Sequence, residues 1–267
     1  MSELNWECPY PSRRSPVFAR NIVATSQPLA AEAGINALRL GGNAVDAAIA
    51  TAITLTVVEP SNNGIGSDAF ALVHDGGKLH GLNASGRSPA GLNADRFKNH
   101  ETMPILGWDA VTVPGAVSAW VSLSEKFGRL PFAALFSDAI HYARNGYQVG
   151  PKTAFLWRHA VKQFADFTTF QETFAQEGKA PAIGELIQLP DHAKTLESIA
   201  DSMGESFYRG SLAQAIAEEA INNGGTMTFD DLANHQAEWV QPIATSAFGA
   251  ELNEIPPNGQ GLMALIS

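Results

Sequence analysis

The segment 26–89 places the tightest constraint on how this chain folds, because it contains two helical patterns followed by two strand patterns. The first helix is predicted over Pro28–Leu40. Ser26 is its expected cap, and a proline in the first turn costs little because the N–H there has no helical partner. Gly41 and Gly42 supply the left-handed backbone that ends a helix. The segment is therefore expected to begin with a capped helix and a glycine turn.

The second helical pattern covers Ala44–Val58 and is apolar around its whole circumference after Asp46. A helix of this kind is typical of one buried between layers. Its β-branched residues also fit a strand, but its length favours a helix. Glu59-Pro60 ends it, since the residue before a proline disfavours helical backbone.

Two short runs with strand patterns, Ala69–His74 and Lys78–Ala84, flank Asp75-Gly76-Gly77. Strands separated by a glycine turn of this kind predict a β-hairpin. The polar cluster Ser85-Gly86-Arg87-Ser88 follows the second run directly. The hairpin is therefore expected to present an arginine at its edge.

The composition is that of a globular protein: of 267 residues, 45% are hydrophobic and 16% are charged. The formal net charge is −10, and no run of Lys or Arg offsets it. A polyphosphate partner would be repelled, so we expect no binding to nucleic acid. The longest apolar run, residues 44–58, is too short to cross a membrane, so no membrane association is expected.

The single cysteine, Cys8, excludes an intrachain disulfide and a cysteine-based metal cage. We interpret it as an incidental thiol in an N-terminal arm, residues 1–21. This arm lacks the basic and then apolar pattern of a signal peptide. Together these features predict a cytoplasmic protein.

Residues 22–267 are predicted to form one continuous region with a helical second half. Short strands are expected at Asn21–Thr25 and at Val111–Gly115. Helical patterns follow at Ala116–Phe127, Pro131–Asn145, Val149–Gln176, Ala193–Ser202, Ser211–Asn222 and from Thr228 onward. The apolar run Leu262–Ser267 stops without a polar cap, and we interpret this end as a truncation, a processing product or an unresolved remainder.

Several common site patterns are missing from the sequence. Gly64-Ile65-Gly66 lacks the third glycine of a dinucleotide-binding loop and precedes a strand. His74 and His80 lie on opposing predicted strands, but no two histidines have the i, i+4 spacing of zinc ligands on a helix. The Gly-x-Ser-x-Gly nucleophile motif is absent. We therefore expect no metal and no cofactor.

Arg87 is the strongest candidate for a binding residue. It follows a predicted strand and is flanked by glycine and by two small hydroxyl residues. Arginine in this setting is suited to hold a substrate carboxylate through two hydrogen bonds. The alternative is a turn arginine paired with a nearby acidic side chain, and the residue pattern alone leaves both open.

Further motifs occur in order along the chain, and together they point to one family. They are Ala31–Gly34 (AEAG), Leu40–Ala48 (LGGNAVDAA), Val58–Pro60 (VEP), Gly64–Gly66 with Phe70, Val113–Gly115 (VPG), Phe207–Gly210 (FYRG), Asp230–Ala233 (DDLA) and Pro256-Pro257. From roughly residue 22 to its end, the chain resembles the large-subunit region of the γ-glutamyltransferase family. This family comprises glutathione hydrolases and related acylases among the N-terminal-nucleophile (Ntn) hydrolases, and LGGNAVDAA is its most specific motif here.

The resemblance implies an α/β (α+β) fold, the αββα sandwich of Ntn hydrolases, of which this chain holds the large-subunit part. Family members are made as one precursor that cuts itself before a threonine. That threonine then attacks a substrate amide, with its own amino group as base, and water or an amine resolves the acyl-enzyme. The resemblance thus implies no catalytic residue in this chain and a nucleophilic threonine downstream. The implied partners are a small subunit from the same precursor and a small-molecule amide substrate.

One departure from the family pattern concerns substrate recognition. Typical transpeptidases carry the arginine that holds the γ-glutamyl carboxylate four residues before a proline. Here Ser85 takes that position and Arg87 stands two residues before Pro89. Residues two apart in an extended segment share a face, so Ser85 and Arg87 are both candidate substrate-binding residues. Either Arg87 serves the same pocket from about 7 Å along the strand, or glutamyl recognition has been lost.

The G-R-S-P pattern resembles a transferase-like subgroup that includes cephalosporin-acylase-like and oxamate-amidohydrolase-like members. Three functions stay open: an autoprocessing amidohydrolase or γ-glutamyltransferase, a catalytically inactive family member that acts in binding, and an unrelated domain. A downstream threonine would separate the first from the second. A structure without a hairpin beside a buried helix would favour the third.

Overall fold

The computed structural model describes residues 16–267, so Cys8 and most of the predicted arm, residues 1–21, lie outside the described residues. Eleven α-helices are present in the described part: α1 (Pro28–Arg39), α2 (Ala44–Val58), α3 (Ala116–Phe127), α4 (Ser137–Asn145), α5 (Pro151–Gln163), α6 (Thr168–Phe174), α7 (Pro190–Asp201), α8 (Glu205–Tyr208), α9 (Ser211–Asn222), α10 (Phe229–Ala233) and α11 (Gly261–Ile266). Seven strands accompany them: β1 (Ala69–Asp75), β2 (Lys78–Ala84), β3 (Tyr147–Gln148), β4 (Leu186–Ile187), β5 (Glu238–Val240), β6 (Ile243–Ala247) and β7 (Ala250–Glu254). The arm boundary stays a prediction.

The first helix is confirmed, but its cap was predicted wrongly. Gln27, not Ser26, accepts hydrogen bonds from the N–H groups of Leu29, at 2.5 Å, and Ala30, at 3.2 Å. The Ser26 hydroxyl donates instead to the carboxylate of Glu59 at the end of α2. Glu59 is buried, and a buried carboxylate is costly unless a donor satisfies it. Ser26 therefore joins the start of α1 to the end of α2.

The two glycines after α1 have different roles. Gly41 has φ +95, the left-handed conformation predicted for both. Gly42 does not share it. A Cβ at Gly42 would lie 2.8 Å from the carbonyl O of Ala37 and 2.9 Å from the Leu130 Cδ1, so this glycine serves close packing.

The second helix, α2, is buried as predicted, and its first turn holds a buried charge. Asn43 caps the helix in a capping box with Asp46, whose side chain is 0% exposed. The Asp46 carboxylate accepts hydrogen bonds from three backbone N–H groups: Asn43 at 2.8 Å, Arg129 at 3.1 Å and Leu130 at 3.4 Å. It therefore ties α2 to the loop that follows α3.

The predicted hairpin is confirmed and belongs to a three-stranded antiparallel sheet in the order β1-β2-β5, with β2 in the centre. Its register runs from Ala69 opposite Ala84 to Asp75 opposite Lys78. The two-residue turn between the strands is Gly76-Gly77, and both residues have positive φ, as a tight hairpin turn requires.

The second half is mainly helical, as predicted, but it also contains short strands that the sequence did not predict. It contributes β5 to the sheet, where Asn83 of β2 lies opposite Glu238, and it also contains the pairs β3–β4 and β6–β7. These strands have two to five residues each. Runs this short carry little alternation, so their pairing depends on contacts that are distant in sequence. The predicted helices of this half are present with two differences: Pro131–Asn145 begins as a 3-10 helix (Phe132–Phe136) before α4, and Val149–Gln176 is divided into α5 and α6.

Two predicted strands are absent from the described residues. Asn21–Thr25 has no strand pairing, and Val23 instead approaches Gly34 of α1. Val111–Gly115 also has no strand pairing: its Val113 N–H donates to the carbonyl group of Arg87, and its Gly115 N–H donates to that of Ser67. Both segments have β-branched composition but no neighbouring strand with which to form a ladder.

The core lies between the helices and the sheet. One large cluster of buried apolar side chains joins α2, α3, α4 and α7 with residues Leu82 and Ala84 of β2. A smaller cluster around Met227 and Leu232 packs α9 and α10 against Val113. The hairpin thus lies against a layer of helices, with β2 facing that core.

We expect Asp46→Ala to lower the free energy of unfolding by about 3 kcal/mol, because buried N–H groups lose a charged acceptor. Chemical denaturation of the purified protein measures this as a shift in the midpoint. Asp68→Ala is the matched control, since Asp68 is an exposed carboxylate just before β1. Equal midpoints for the two variants would show that the buried carboxylate contributes nothing net.

Candidate functional site

A polar cleft opens where β2 ends, and we call it the Arg87 cleft. Its volume is about 290 Å³. It is lined by Asn83, Ser85, Gly86, Arg87, His235, Gln236, Glu238, Pro257 and Asn258. A second cavity of about 590 Å³ shares Arg87, His235, Gln236 and Glu238 with it and adds Asp230 and Asp231 to its wall. Both predicted binding residues, Ser85 and Arg87, therefore line the same cleft.

The segment after β2 and the segment before α3 touch at the base of this cleft. Gly86 has φ +75, and a Cβ there would lie 1.7 Å from the carbonyl O of Val113. A Cβ at Gly115 would lie 1.9 Å from the carbonyl O of Ala84. Only glycine fits at either position. The Val113 N–H donates to the carbonyl O of Arg87 at 2.9 Å, which fixes the arginine backbone.

Arg87 forms an ion pair with Glu238. The Nη2–Oε1 distance is 2.7 Å, and the two side chains are 85% and 56% exposed. An ion pair this exposed stabilises a protein by about 0–1 kcal/mol, because water and salt screen it. The structure thus shows Arg87 paired with an acidic side chain, which was one of the two predicted roles. Its guanidinium group is still exposed, so the other predicted role, binding a substrate carboxylate, stays open.

Ser85 belongs to a small network of uncharged polar groups. Its N–H donates to the Asn83 Oδ1 at 3.0 Å. Its hydroxyl lies 3.0 Å from the Asn258 Nδ2 and 3.2 Å from the Asn258 Oδ1, and the Asn83 Nδ2 donates to that same Oδ1 at 3.0 Å. One wall of the cleft therefore offers hydroxyl and amide groups without formal charge.

The part of the cleft lined by His235 is held by a hydrogen-bonded chain that begins at the Pro114 carbonyl. The Tyr208 hydroxyl donates to that carbonyl at 2.8 Å and accepts from the Ser118 N–H at 3.0 Å. The Ser118 hydroxyl donates to the Gly115 carbonyl at 2.7 Å and lies 2.9 Å from the His235 Nε2. Since that hydroxyl hydrogen is already used, Nε2 carries the proton and donates to Ser118, which leaves Nδ1 as an acceptor.

Burial shifts the titration of both rings in this hydrogen-bonded chain. Burial lowers the pKa of His235, the Arg87 guanidinium lowers it further, and Glu238 opposes these effects. Burial also raises the pKa of Tyr208 to about 12. Histidine in this position is therefore neutral at neutral pH, and the cleft carries one cation, Arg87, and one anion, Glu238.

The sequence predicted Ser85 and Arg87 as substrate-binding residues, a role that stays a prediction, and it did not indicate that Glu238, His235 and Asn258 line the same cleft. His235 follows the DDLA motif and Asn258 follows Pro256-Pro257, so both stood beside segments already singled out. Nothing local connects Glu238 with Arg87, because 151 residues separate them.

No group of three His, Cys, Asp or Glu side chains that could hold a metal ion occurs in residues 16–267. Within the same residues, no helix is both long enough and apolar enough to span a bilayer. The expectation that the protein uses neither metal nor cofactor stays a prediction.

Comparison with known proteins identifies the class. The family model described as Gamma-glutamyltranspeptidase matches residues 30–267. A glutathione hydrolase-like YwrD proenzyme of Bacillus subtilis is 36% identical over 260 residues, which are 95% of this chain and 49% of that protein. The chain thus spans about half the length of this curated relative.

Two solved structures share the fold. A cephalosporin acylase from Bacillus halodurans has a TM-score of 0.92 and 52% identity, covering 96% of this chain and 50% of that one. A γ-glutamyltranspeptidase from Pseudomonas nitroreducens has a TM-score of 0.86 and 31% identity, covering 93% of this chain and 75% of that one. The chain belongs to the γ-glutamyltranspeptidase family, and its predicted Ntn-hydrolase fold class is confirmed.

Gly86→Ala is expected to displace the segment that carries Arg87, because the new methyl group would collide with the Val113 carbonyl. We expect a loss of about 2 kcal/mol or more in unfolding free energy, since both a clash and a strained φ are introduced. Gly107→Ala is the control, with φ +81 and nothing within 4 Å of its Cβ. Thermal unfolding of both variants separates clash from strain, and equal losses would show that the contact with Val113 is not tight.

Proposed function

We propose that this chain is the large-subunit portion of an autoprocessing amidohydrolase or γ-glutamyltransferase that cleaves γ-glutamyl or similar amide bonds. The family match over residues 30–267 carries this proposal. In the proposed reaction, the threonine hydroxyl of the small subunit adds to the amide carbonyl, and the amine leaves with a proton. Water or a second amine then displaces the threonine from the resulting ester.

The exposed edge of the sheet supports a small subunit as partner. Among residues 16–267, β1 pairs only with β2, so its other edge has unpaired backbone groups. Phe70 and Leu72 of this strand are exposed although they are large and apolar. Unpaired edges and exposed apolar side chains are typical of a surface that another polypeptide covers. We propose that the small subunit of the same precursor extends the sheet here.

Within this scheme, the described chain supplies substrate recognition. Arg87 offers guanidinium donors to a carboxylate of the acyl group, while Ser85 and Asn258 offer neutral polar groups beside it. The nucleophile and its base belong to the downstream part of the precursor. The large-subunit chain by itself is therefore expected to be inactive.

The second candidate is a cephalosporin-acylase-like or oxamate-amidohydrolase-like amide hydrolase that has lost γ-glutamyl recognition. The 52% identity to a cephalosporin acylase favours it, as does Ser85 at the position where typical transpeptidases carry arginine. A catalytically inactive member that acts in binding is the third candidate.

The cytoplasmic location predicted from the sequence is also part of this proposal, and cell fractionation would test it.

Self-cleavage can be tested by intact-mass measurement of the complete gene product after expression. We expect two fragments whose masses sum to that of the precursor, with the smaller fragment beginning at a threonine. Replacing that threonine by alanine is expected to leave one uncut chain. A complete product that stays uncut without the replacement would favour the inactive binding member.

Carboxylate recognition can be tested with Arg87→Ala in the complete protein. The substrates are glutaryl-p-nitroanilide and the analogue in which its free carboxylate is a primary amide. Loss of a charge-assisted contact is expected to cost about 2 kcal/mol, which is roughly a thirtyfold rise in the KM of the carboxylate substrate relative to the amide. Arg209→Ala, which removes an exposed arginine paired with Glu205 on α8, is the control. Equal changes for both substrates would exclude Arg87 from the binding site.

A further inference from the structure

The ion pair between Arg87 and Glu238 lies between the two cavities, since both residues line both of them. We propose that Glu238 is a specificity-determining residue: its carboxylate takes the place on Arg87 that a substrate carboxylate needs, and so disfavours carboxylate-bearing acyl donors relative to neutral ones. This inference rests on the proposed function, because it assumes that the acyl group binds in the Arg87 cleft.

Backbone contacts fix the positions of both residues of this ion pair. Glu238 is held by the pairing of β5 with β2, where it lies opposite Asn83. The backbone of Arg87 is held by its hydrogen bond to Val113 and by the tight contact at Gly86. Two rigid supports thus bring the Arg87 Nη2 within 2.7 Å of the Glu238 Oε1, although both side chains face solvent.

The charges around the pair explain why Glu238 would control selectivity. Among the described residues that line the two cavities, Arg87 is the one side chain with a fixed positive charge. The adjacent His235 is neutral, for the reasons given above, and Asp230 and Asp231 add negative charge on the side of the larger cavity. A substrate carboxylate therefore depends on Arg87 alone, and Glu238 acts on the substrate by neutralising that charge and occupying guanidinium donors.

Because an exposed ion pair is weak, Glu238 is expected to disfavour carboxylate substrates without preventing them from binding. Arginine has five N–H donors, so a substrate carboxylate can share the guanidinium with Glu238 or displace it. An exposed pair corresponds to at most about 1 kcal/mol, or roughly a fivefold change in an equilibrium. Glu238 is therefore expected to reduce the preference for carboxylates without abolishing it.

The test is Glu238→Gln in the complete protein, with glutaryl-p-nitroanilide and its primary-amide analogue as substrates. Glutamine retains the shape and the strand pairing but lacks the charge. We expect the KM of the carboxylate substrate, divided by that of the amide, to fall about three- to fivefold. The fall should shrink in 1 M salt, because salt weakens interactions between exposed charges, and it should disappear in the Arg87→Ala background.

Glu205→Gln provides the matched control, because Glu205 also pairs with an exposed arginine at 2.8 Å but lies on α8, outside the residues that line the cleft. It is expected to leave the KM ratio unchanged. A ratio that rises or stays the same in Glu238→Gln would overturn the proposal, since Glu238 would then position Arg87 or play no part.

Binding of glutarate by calorimetry separates this inference from the proposed function. If wild-type protein hydrolyses neither anilide but glutarate binds more tightly to Glu238→Gln than to wild type, the proposed reaction fails and the role of Glu238 holds. If the anilides are hydrolysed but glutarate binds equally to both proteins, the reaction holds and the role of Glu238 fails.

Discussion

The contact between two glycine-containing segments is the constraint on which the candidate site depends. Gly86 and Gly115 each face a carbonyl group of the other segment, at distances where no Cβ would fit. This contact joins the end of β2 to the start of α3, and the Val113 N–H closes it with a hydrogen bond to the Arg87 carbonyl. Arg87 is thereby placed on a support of two elements and not on a free loop.

The same contact also positions the part of the cleft that His235 lines, through a chain of hydrogen bonds. The Pro114 and Gly115 carbonyls accept from Tyr208 and Ser118, and Ser118 in turn accepts from His235. These groups come from α3, α8 and the segment after α10, so distant parts of the chain meet at one turn. Because the half-buried His235 at the end of this chain is neutral, Arg87 is the only cation facing the cleft among the described lining residues.

The buried helix α2 is held at both ends by carboxylates, although its middle is apolar. Asp46 at its start accepts from three backbone N–H groups, and Glu59 at its end accepts from Ser26. Buried charges are tolerated only where donors surround them, so these two residues define where the helix starts and stops in the core. The hairpin that leads to Arg87 packs on this helix layer through α3.

The sequence by itself determined the elements whose signals are local. Periodicity and glycine positions defined α1, α2 and the hairpin, because helix ends and tight turns depend on residues a few positions apart. The tertiary structure decided the partners: Gln27 replaced Ser26 as cap, β5 joined the sheet, and Glu238 reached Arg87 across 151 residues. Such pairings follow from the packing of the whole chain, and short strands and exposed ion pairs leave almost no local pattern from which to predict them.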